Sequence, residues 1–160
     1  VNGFLEKQGI FYVVDDPEHP DDPDNEVREN NRAKYQWSEL LRSLTASPPL
    51  WNWHRIYMED YGLTPDPETI PCSNTATVDA WDDGKGVVMW MTHGSQISAS
   101  HVIRNSELSS LDDSKPSIVF MGACSNGEPE YYPTWGIPLG YENLKNGAIA
   151  TVSATRTSYG

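Results

Sequence analysis

Two stretches of the sequence decide the fold: Gly86-Val-Val-Met-Trp-Met-Thr-His93-Gly-Ser95 and Ser117-Ile-Val-Phe-Met-Gly-Ala-Cys124-Ser-Asn-Gly127. Each is an apolar run that stops in small, turn-forming residues, which is typical of a buried strand. The carboxyl ends of parallel strands meet at one edge of a sheet, where open α/β folds bind their ligands. We therefore expect His93 and Cys124 to emerge side by side at that edge. Their spacing suits a crossover between neighbouring parallel strands.

The rest of the chain alternates between strand-like and helix-like segments. Runs rich in branched and aromatic residues predict strands at Ile10–Val14, His54–Met58, Val87–Thr92, Ile118–Ala123 and Ala148–Ser153. Apolar periodicity, caps and breakers predict helices at Arg28–Leu44, Ser73–Gly84, Ser106–Asp112 and Ile137–Asn146. This alternation predicts an α/β fold with a mostly parallel central sheet flanked by helices.

The length and the two ends of the chain bear on its domain organisation. A chain of 160 residues accommodates one domain with one substantial core. It begins with Val1 and stops soon after a strand-like run. We expect residues 1–160 to be a single catalytic domain, a fragment of a longer chain truncated at both ends.

The chain is strongly acidic, with 23 acidic against 11 basic residues and a formal net charge of −12. This charge disfavours nonspecific binding of a phosphate backbone, so we expect no nucleic-acid partner. A basic partner is easier to accommodate. No window approaches the roughly 20 apolar residues that a membrane-spanning helix needs, and no signal peptide is present.

His93 and Cys124 together suggest nucleophilic catalysis. A thiol attacks as the thiolate, and a neighbouring imidazole both favours that form and later protonates the leaving group. Gly94 and Gly122 reduce side-chain bulk where a substrate must approach and where backbone N–H groups could hold an oxyanion. On spacing alone, a core histidine and an inert buried cysteine stay open as the alternative.

Two other interpretations of Cys124 are less favoured. The segment Gly122–Gly127 is similar to the nucleophile elbow of the α/β-hydrolases, but those enzymes place the histidine after the nucleophile, and no histidine follows Cys124. A disulfide with Cys72, the other of the two cysteines, is disfavoured because Cys72 precedes a predicted helix while Cys124 ends a strand.

Four stretches resemble the gingipain family of caspase-fold cysteine peptidases, in the family's order. They are Ile56–Tyr61, Val87–Ser95 with its His-Gly-Ser, Pro116–Gly127 with Ala-Cys-Ser-Asn-Gly, and Asn146–Arg156. The resemblance implies a caspase-like three-layer fold, His93 as catalytic base and acid, and Cys124 as nucleophile. It also implies the backbone N–H groups of Gly94 and Cys124 as oxyanion donors. The sequence departs from the pattern at Thr92, where the family usually has glycine.

Two further segments hold candidate site residues: the acidic segment Asp15–Glu29, to which the resemblance assigns roles, and an aromatic segment that follows Cys124. The resemblance implies a carboxylate beyond the first strand that orients the histidine, for which Asp15 or Asp16 is the best match, while a solvated acidic loop is the bland alternative. Glu26 or Glu29 could select a basic substrate side chain. Trp135, with Tyr131 and Tyr132, could form a wall of the substrate cleft, or simply pack the loop.

No cofactor is expected to be required, and calcium is the candidate ion. The acid-rich segment offers oxygen ligands, although it lacks the EF-hand spacing, and some members of the family bind calcium. Structural zinc is less favoured, because His19, His54 and His101 show no ligand spacing with one another or with Cys72. We therefore predict no metal at the catalytic residues themselves.

The leading hypothesis is a cysteine endopeptidase that forms a thioester acyl-enzyme, with a preference for a basic residue before the scissile bond. The alternatives are an acyl transferase on the same fold and a noncatalytic binding module with an acidic surface. The expected partner is a protein or peptide substrate, with a second chain or further residues of the same precursor needed for activity. The resemblance implies a secreted or cell-surface protein.

Overall fold

A sheet of parallel strands forms the centre of the fold. The computed structural model describes residues 8–13, 39–41, 43–44, 52–57, 74–132 and 134–157. In chain order the strands are β1 (Gln8–Val13), β2 (Asn52–Tyr57), β3 (Val87–Met91), β4 (Gly94–Ser95), β5 (Ser98–Ala99), β6 (Ile103–Arg104), β7 (Ser117–Gly122) and β8 (Ala148–Ser153). The helices are α1 (Asn74–Asp82), α2 (Asn105–Leu108) and α3 (Leu139–Asn143), with a 3₁₀ turn at Pro129–Tyr131.

The central sheet has the strand order β2-β1-β3-β7-β8, and every pairing in it is parallel. The strand order reverses between β1 and β3, which is the position where open α/β sheets form a crevice at their carboxyl edge. The register aligns Val13 of β1 with Met91 of β3, and Met91 with Gly122 of β7. The chain segments that follow these three strands therefore start from one level of the sheet. All five predicted strands are confirmed, with ends that differ by two residues at most.

One face of the sheet carries the core. Along β7 the residues alternate, with Val119 and Met121 buried while Ile118 and Phe120 are each 37% exposed. From α1, Trp81 packs on Trp90 of β3, with the ring centroids 6.3 Å apart. The apolar cluster on this face also takes in α2 and α3, through residues Leu108 and Leu139. The helices α1, α2 and α3 thus pack on the face that Val119 and Met121 occupy.

The predicted helices are confirmed in place but are shorter than expected. Beyond α2, Ser110 N–H donates to Glu107 O at 3.0 Å, and beyond α3, Lys145 N–H donates to Glu142 O at 3.0 Å. These bonds span three residues, so each helix continues as a tighter turn rather than as further α-helix. Of the predicted helix Arg28–Leu44, residues 39–41 and 43–44 are helical and the others lie outside the described residues.

A small antiparallel sheet follows His93 directly and was not predicted. Its order is β4-β5-β6, with Gly94 opposite Ala99 and Ser98 opposite Arg104. Each strand has two residues and the segment is rich in serine, so neither length nor apolar alternation marks it in the sequence. It turns the chain back over the carboxyl edge of the central sheet before α2 begins.

Candidate active site

The chain segments after β3 and β7 lie against each other. Thr92 N–H donates to Gly122 O at 3.0 Å, which extends the pairing of the two strands by one residue. His93 follows with an exposed side chain, and Cys124 has a half-buried thiol. The structure thus brings the two predicted catalytic residues to the same edge, each two residues beyond the aligned pair Met91 and Gly122.

Gly94 packs tightly against the segment that bears Cys124. A Cβ atom built on Gly94 would lie 2.8 Å from Ala123 Cβ and 3.0 Å from Cys124 O. Real Cβ atoms do not tolerate the first distance, so a side chain here would push the histidine segment away from the cysteine segment. Glycine at this position therefore permits the contact that holds His93 beside the Cys124 loop.

The pairing of Gly94 also fixes the direction of its backbone N–H. Ser100 N–H donates to His93 O at 2.8 Å, so the neighbouring opposed pair, Gly94 and Ala99, is of the type that exchanges no hydrogen bonds. The Gly94 N–H consequently points away from β5. This direction is compatible with the predicted role of Gly94 as an oxyanion donor.

Thr92 stands at the position where the sequence departs from the family's pattern. Its side chain is only 6% exposed, and its hydroxyl donates to Ser100 O at 3.1 Å. Thr92 therefore completes β3 and fastens the turn after β5.

Asn126, two residues after the cysteine, is a connecting residue that the sequence interpretation missed. Its side chain is fully buried, and Nδ2 lies 2.6 Å from Ser95 O, 3.0 Å from Ser98 O and 3.4 Å from Cys124 O. The first two carbonyls belong to the hairpin that follows His93. In the sequence Asn126 precedes a glycine in a turn-forming run, a pattern that predicts only a turn at the end of the strand.

The cysteine loop is also anchored from its other side, on the residues that follow β8. Ser125 has a left-handed backbone (φ 56°), and its N–H donates to Arg156 O at 3.0 Å. Gly127 N–H donates to Ala154 O at 2.9 Å. The loop is therefore held on both flanks, by the histidine hairpin and by the end of β8.

Polar and charged side chains link three loops along the carboxyl edge of the sheet. Gln96 Nε2 donates to Glu128 Oε2 at 3.0 Å, Arg156 lies 3.9 Å from Glu128 Oε1, and Arg156 also donates to both oxygens of Glu130. The bonds from Arg156 hold the pKa of Glu130 at about 2, and in turn Glu130 raises the pKa of Arg156. This Gln96–Glu128–Arg156–Glu130 group forms a charged rim that sequence reasoning did not identify.

The other predicted site residues are distributed as follows. Trp135 is 74% exposed, and its backbone N–H donates to Tyr131 O at 2.9 Å, so it stands on the surface of the loop between β7 and α3. Neither Cys72 nor the acidic residues Asp15, Asp16, Glu26 and Glu29 fall within the described residues.

The predictions about metals and membranes concern only part of the chain. Within the described ranges no group of His, Cys, Asp and Glu is arranged to hold a metal ion. The segment predicted to offer calcium ligands lies outside those ranges, so calcium stays a prediction. Among the described residues no helix is both long and apolar enough to cross a membrane.

Comparison with known proteins relates this architecture to one family. The family model for peptidase family C25 matches residues 6–160. The crystal structure of the Arg specific cysteine proteinase gingipain R (RGPB) is similar with a TM-score of 0.69 at 16% identity, covering 98% of this chain and 34% of that chain. The complex of Porphyromonas gingivalis RgpB pro- and mature domains gives 0.68 at 16% identity, covering 98% and 35%. No curated protein sequence matches the chain.

The chain therefore spans about a third of the length of these structural neighbours. At this identity the likeness shows the fold, and it confirms the predicted caspase-like α/β architecture. Membership rests on the family match, which extends over nearly the whole sequence. The chain belongs to peptidase family C25, the gingipain-type cysteine peptidases.

Proposed function

We propose that this chain carries the catalytic dyad of a cysteine endopeptidase, with Cys124 as the nucleophile and His93 as the proton carrier. The observation that supports this most directly is the register of the sheet. Met91 and Gly122 are paired, and His93 and Cys124 each follow by two residues at the carboxyl edge. The contact of Gly94 with the Cys124 loop brings the two segments together there.

In the proposed reaction, the Cys124 thiolate forms a C–S bond to the scissile carbonyl carbon. The carbonyl oxygen takes the negative charge and is held by the N–H groups of Gly94 and Cys124. The C–N bond then breaks as the His93 imidazolium protonates the departing amine, which leaves a thioester. Water attacks the thioester while His93 accepts its proton, and the carboxylic acid product and the thiolate are released.

A third residue is proposed from the same register. Asp15 follows Val13 by two residues, just as His93 follows Met91 and Cys124 follows Gly122. A carboxylate at this level would orient the imidazole and stabilise the imidazolium. This favours Asp15 over Asp16, and we expect Asp15→Asn to lower kcat more than Asp16→Asn does.

The test of the dyad uses the full-length protein and a panel of fluorogenic peptides. We expect Cys124→Ala and His93→Ala to lose about 10⁴-fold or more in kcat, because members of a nucleophile and base pair act as a unit. His101→Asn is the matched control, since His101 is an exposed histidine in a left-handed turn that asparagine tolerates. Full cleavage by Cys124→Ala would overturn the proposal.

The proposed preference is for a basic residue before the scissile bond, with Glu26 or Glu29 near the basic side chain and Trp135 on the cleft wall. The acidic net charge supports it, and the structural neighbour is named as Arg specific. Peptides that differ only in arginine or citrulline isolate the charge from the shape. Equal kcat/KM values for the two peptides would exclude the charge preference.

Three further proposals concern the reaction product, the location of the protein and the further residues that activity requires. An added amine nucleophile should leave the carboxylic acid as the product, whereas capture of the acyl group by the amine would indicate a transferase. We also propose a secreted or cell-surface location and a need for further residues or a second chain of the same precursor. Fractionation of the native organism and activity assays of residues 1–160 against the full-length protein test these two points.

A further inference from the structure

The buried amide of Asn126 joins the two segments that bear the proposed catalytic residues. Its Nδ2 group is surrounded by three carbonyl oxygens, two from the hairpin after His93 and one from Cys124 itself. An NH₂ group suits a position among carbonyl oxygens, because it donates where a second oxygen would be repelled. Its backbone O accepts from Gly140 N–H at 2.8 Å, so the residue is also fixed to the start of α3.

The Asn126 amide also lies close to Gly94, the residue that follows His93. A Cβ atom on Gly94 would lie 3.0 Å from Asn126 Nδ2 and 3.0 Å from Cys124 O. The amide therefore occupies the junction where the residue after the histidine meets the cysteine. Removing it would open a small gap at this junction and leave the Ser95 and Ser98 carbonyls without this donor.

We propose that Asn126 is a positioning residue that fixes the His93 segment against the Cys124 loop. Its Nδ2 hydrogen bonds go to backbone carbonyls of both segments, so it acts by setting the distance between the imidazole and the thiol. The inference rests on the proposed function for its kinetic consequence. A misplacement of about 1 Å at a catalytic pair costs about 100-fold in rate, so a single buried amide is sufficient to matter.

The chain provides a matched control in Asn143. This residue is also an asparagine with a fully buried side chain, and its Nδ2 donates to Asn146 O at 2.9 Å. That acceptor lies in the turn after α3 and belongs to neither catalytic segment. Asn126→Ala and Asn143→Ala therefore remove the same group at the same burial, and both should lower the free energy of unfolding.

The experiment compares these variants in the full-length protein at a temperature where both are folded. We expect Asn126→Ala to lower kcat by about 100-fold with little change in KM, and Asn143→Ala to leave both near the wild-type values. Asn126→Ser, which keeps a hydroxyl donor, should recover part of kcat. Equal kcat for Asn126→Ala and Asn143→Ala would overturn the inference.

Alkylation of Cys124 by iodoacetamide at fixed pH separates this inference from the proposed function. The rate reports the thiolate fraction and needs no peptide hydrolysis. We expect slower alkylation in Asn126→Ala than in Asn143→Ala, because a displaced imidazole stabilises the thiolate less well. If the wild type hydrolyses no peptide but this difference appears, the endopeptidase proposal fails and the positioning role holds. If the wild type is active and the two variants alkylate equally, only the positioning role fails.

Discussion

The two edges of the central sheet use their hydrogen bonds in different ways. At the amino edge, Trp81 Nε1 donates to Ser117 Oγ at 2.8 Å, the Ser117 hydroxyl donates to Lys85 O, and Ser117 N–H donates to Gly147 O at 2.9 Å. Ser117 is fully buried there. At the carboxyl edge, comparable bonds hold the loops together, yet His93 stays exposed and Cys124 half buried.

On the proposed function, the two edges of one sheet serve stability and chemistry separately. The amino edge closes around polar groups that pair with one another, which is what a purely structural junction requires. The carboxyl edge pairs backbone groups and the Nδ2 group of the buried amide, while His93 stays exposed and Cys124 half buried. Substitutions at the two edges should therefore divide into those that alter turnover and those that alter the free energy of unfolding.

The largest expected effect is at the carboxyl edge, in His93→Ala. We expect the loss of about 10⁴-fold or more in kcat that a member of a nucleophile and base pair gives, with little change in the free energy of unfolding. The imidazole is exposed, so its removal creates no cavity. Peptide hydrolysis and chemical denaturation measure the two quantities. A large fall in stability with unchanged turnover would reverse the assignment of this edge.

Gly94→Ala should affect both turnover and the free energy of unfolding. The new methyl group would meet Ala123 Cβ at 2.8 Å, so we expect a loss of about 1–3 kcal/mol in stability from overpacking. We also expect slower turnover, since the histidine segment must move away from Cys124. The same two assays apply, and a variant with wild-type kcat would show that the close approach has no catalytic importance.

The sequence predicts some features of this fold and of its carboxyl edge, and not others. The five strands and the juxtaposition of His93 with Cys124 follow from apolar runs and from the rule that parallel strands end at one edge. The β4–β6 sheet, Asn126 and the charged rim do not follow in this way. Glu128 bonds to Gln96, 32 residues away, and Glu130 bonds to Arg156, 26 residues away. Such pairings depend on how loops fold back, and no local periodicity records that.

Ser117→Ala tests the amino edge. The serine hydroxyl accepts from Trp81 and donates to Lys85 O, so its loss removes one hydrogen-bond partner from each of these two groups. We expect a decrease of about 1–3 kcal/mol in the free energy of unfolding, with kcat unchanged. Ser109→Ala, at an exposed position after α2, is the control and should stay within about 0.5 kcal/mol of the wild type. A specific loss of kcat in Ser117→Ala would show that the two edges are coupled.

The smallest effect belongs to the exposed pair of Glu130 and Arg156, which lies at the carboxyl edge but away from the buried contacts. The pKa of Glu130 is lowered from its usual 4.5 to about 2, chiefly by the hydrogen bonds from Arg156. A lowered pKa in the folded state means that the stabilisation is fully present above pH 4.5 and is lost as the pH falls toward 2.

We therefore expect Glu130→Gln to be slightly less stable than the wild type from pH 6 to 8, by a constant amount. The difference should shrink below about pH 4.5 and be sensitive to salt, because both side chains are exposed. Denaturation curves across this pH range measure it, with kcat at pH 7 as the second readout. A stability difference that grew on acidification would contradict the lowered pKa of Glu130. A marked fall in kcat would show that the charged rim also affects catalysis.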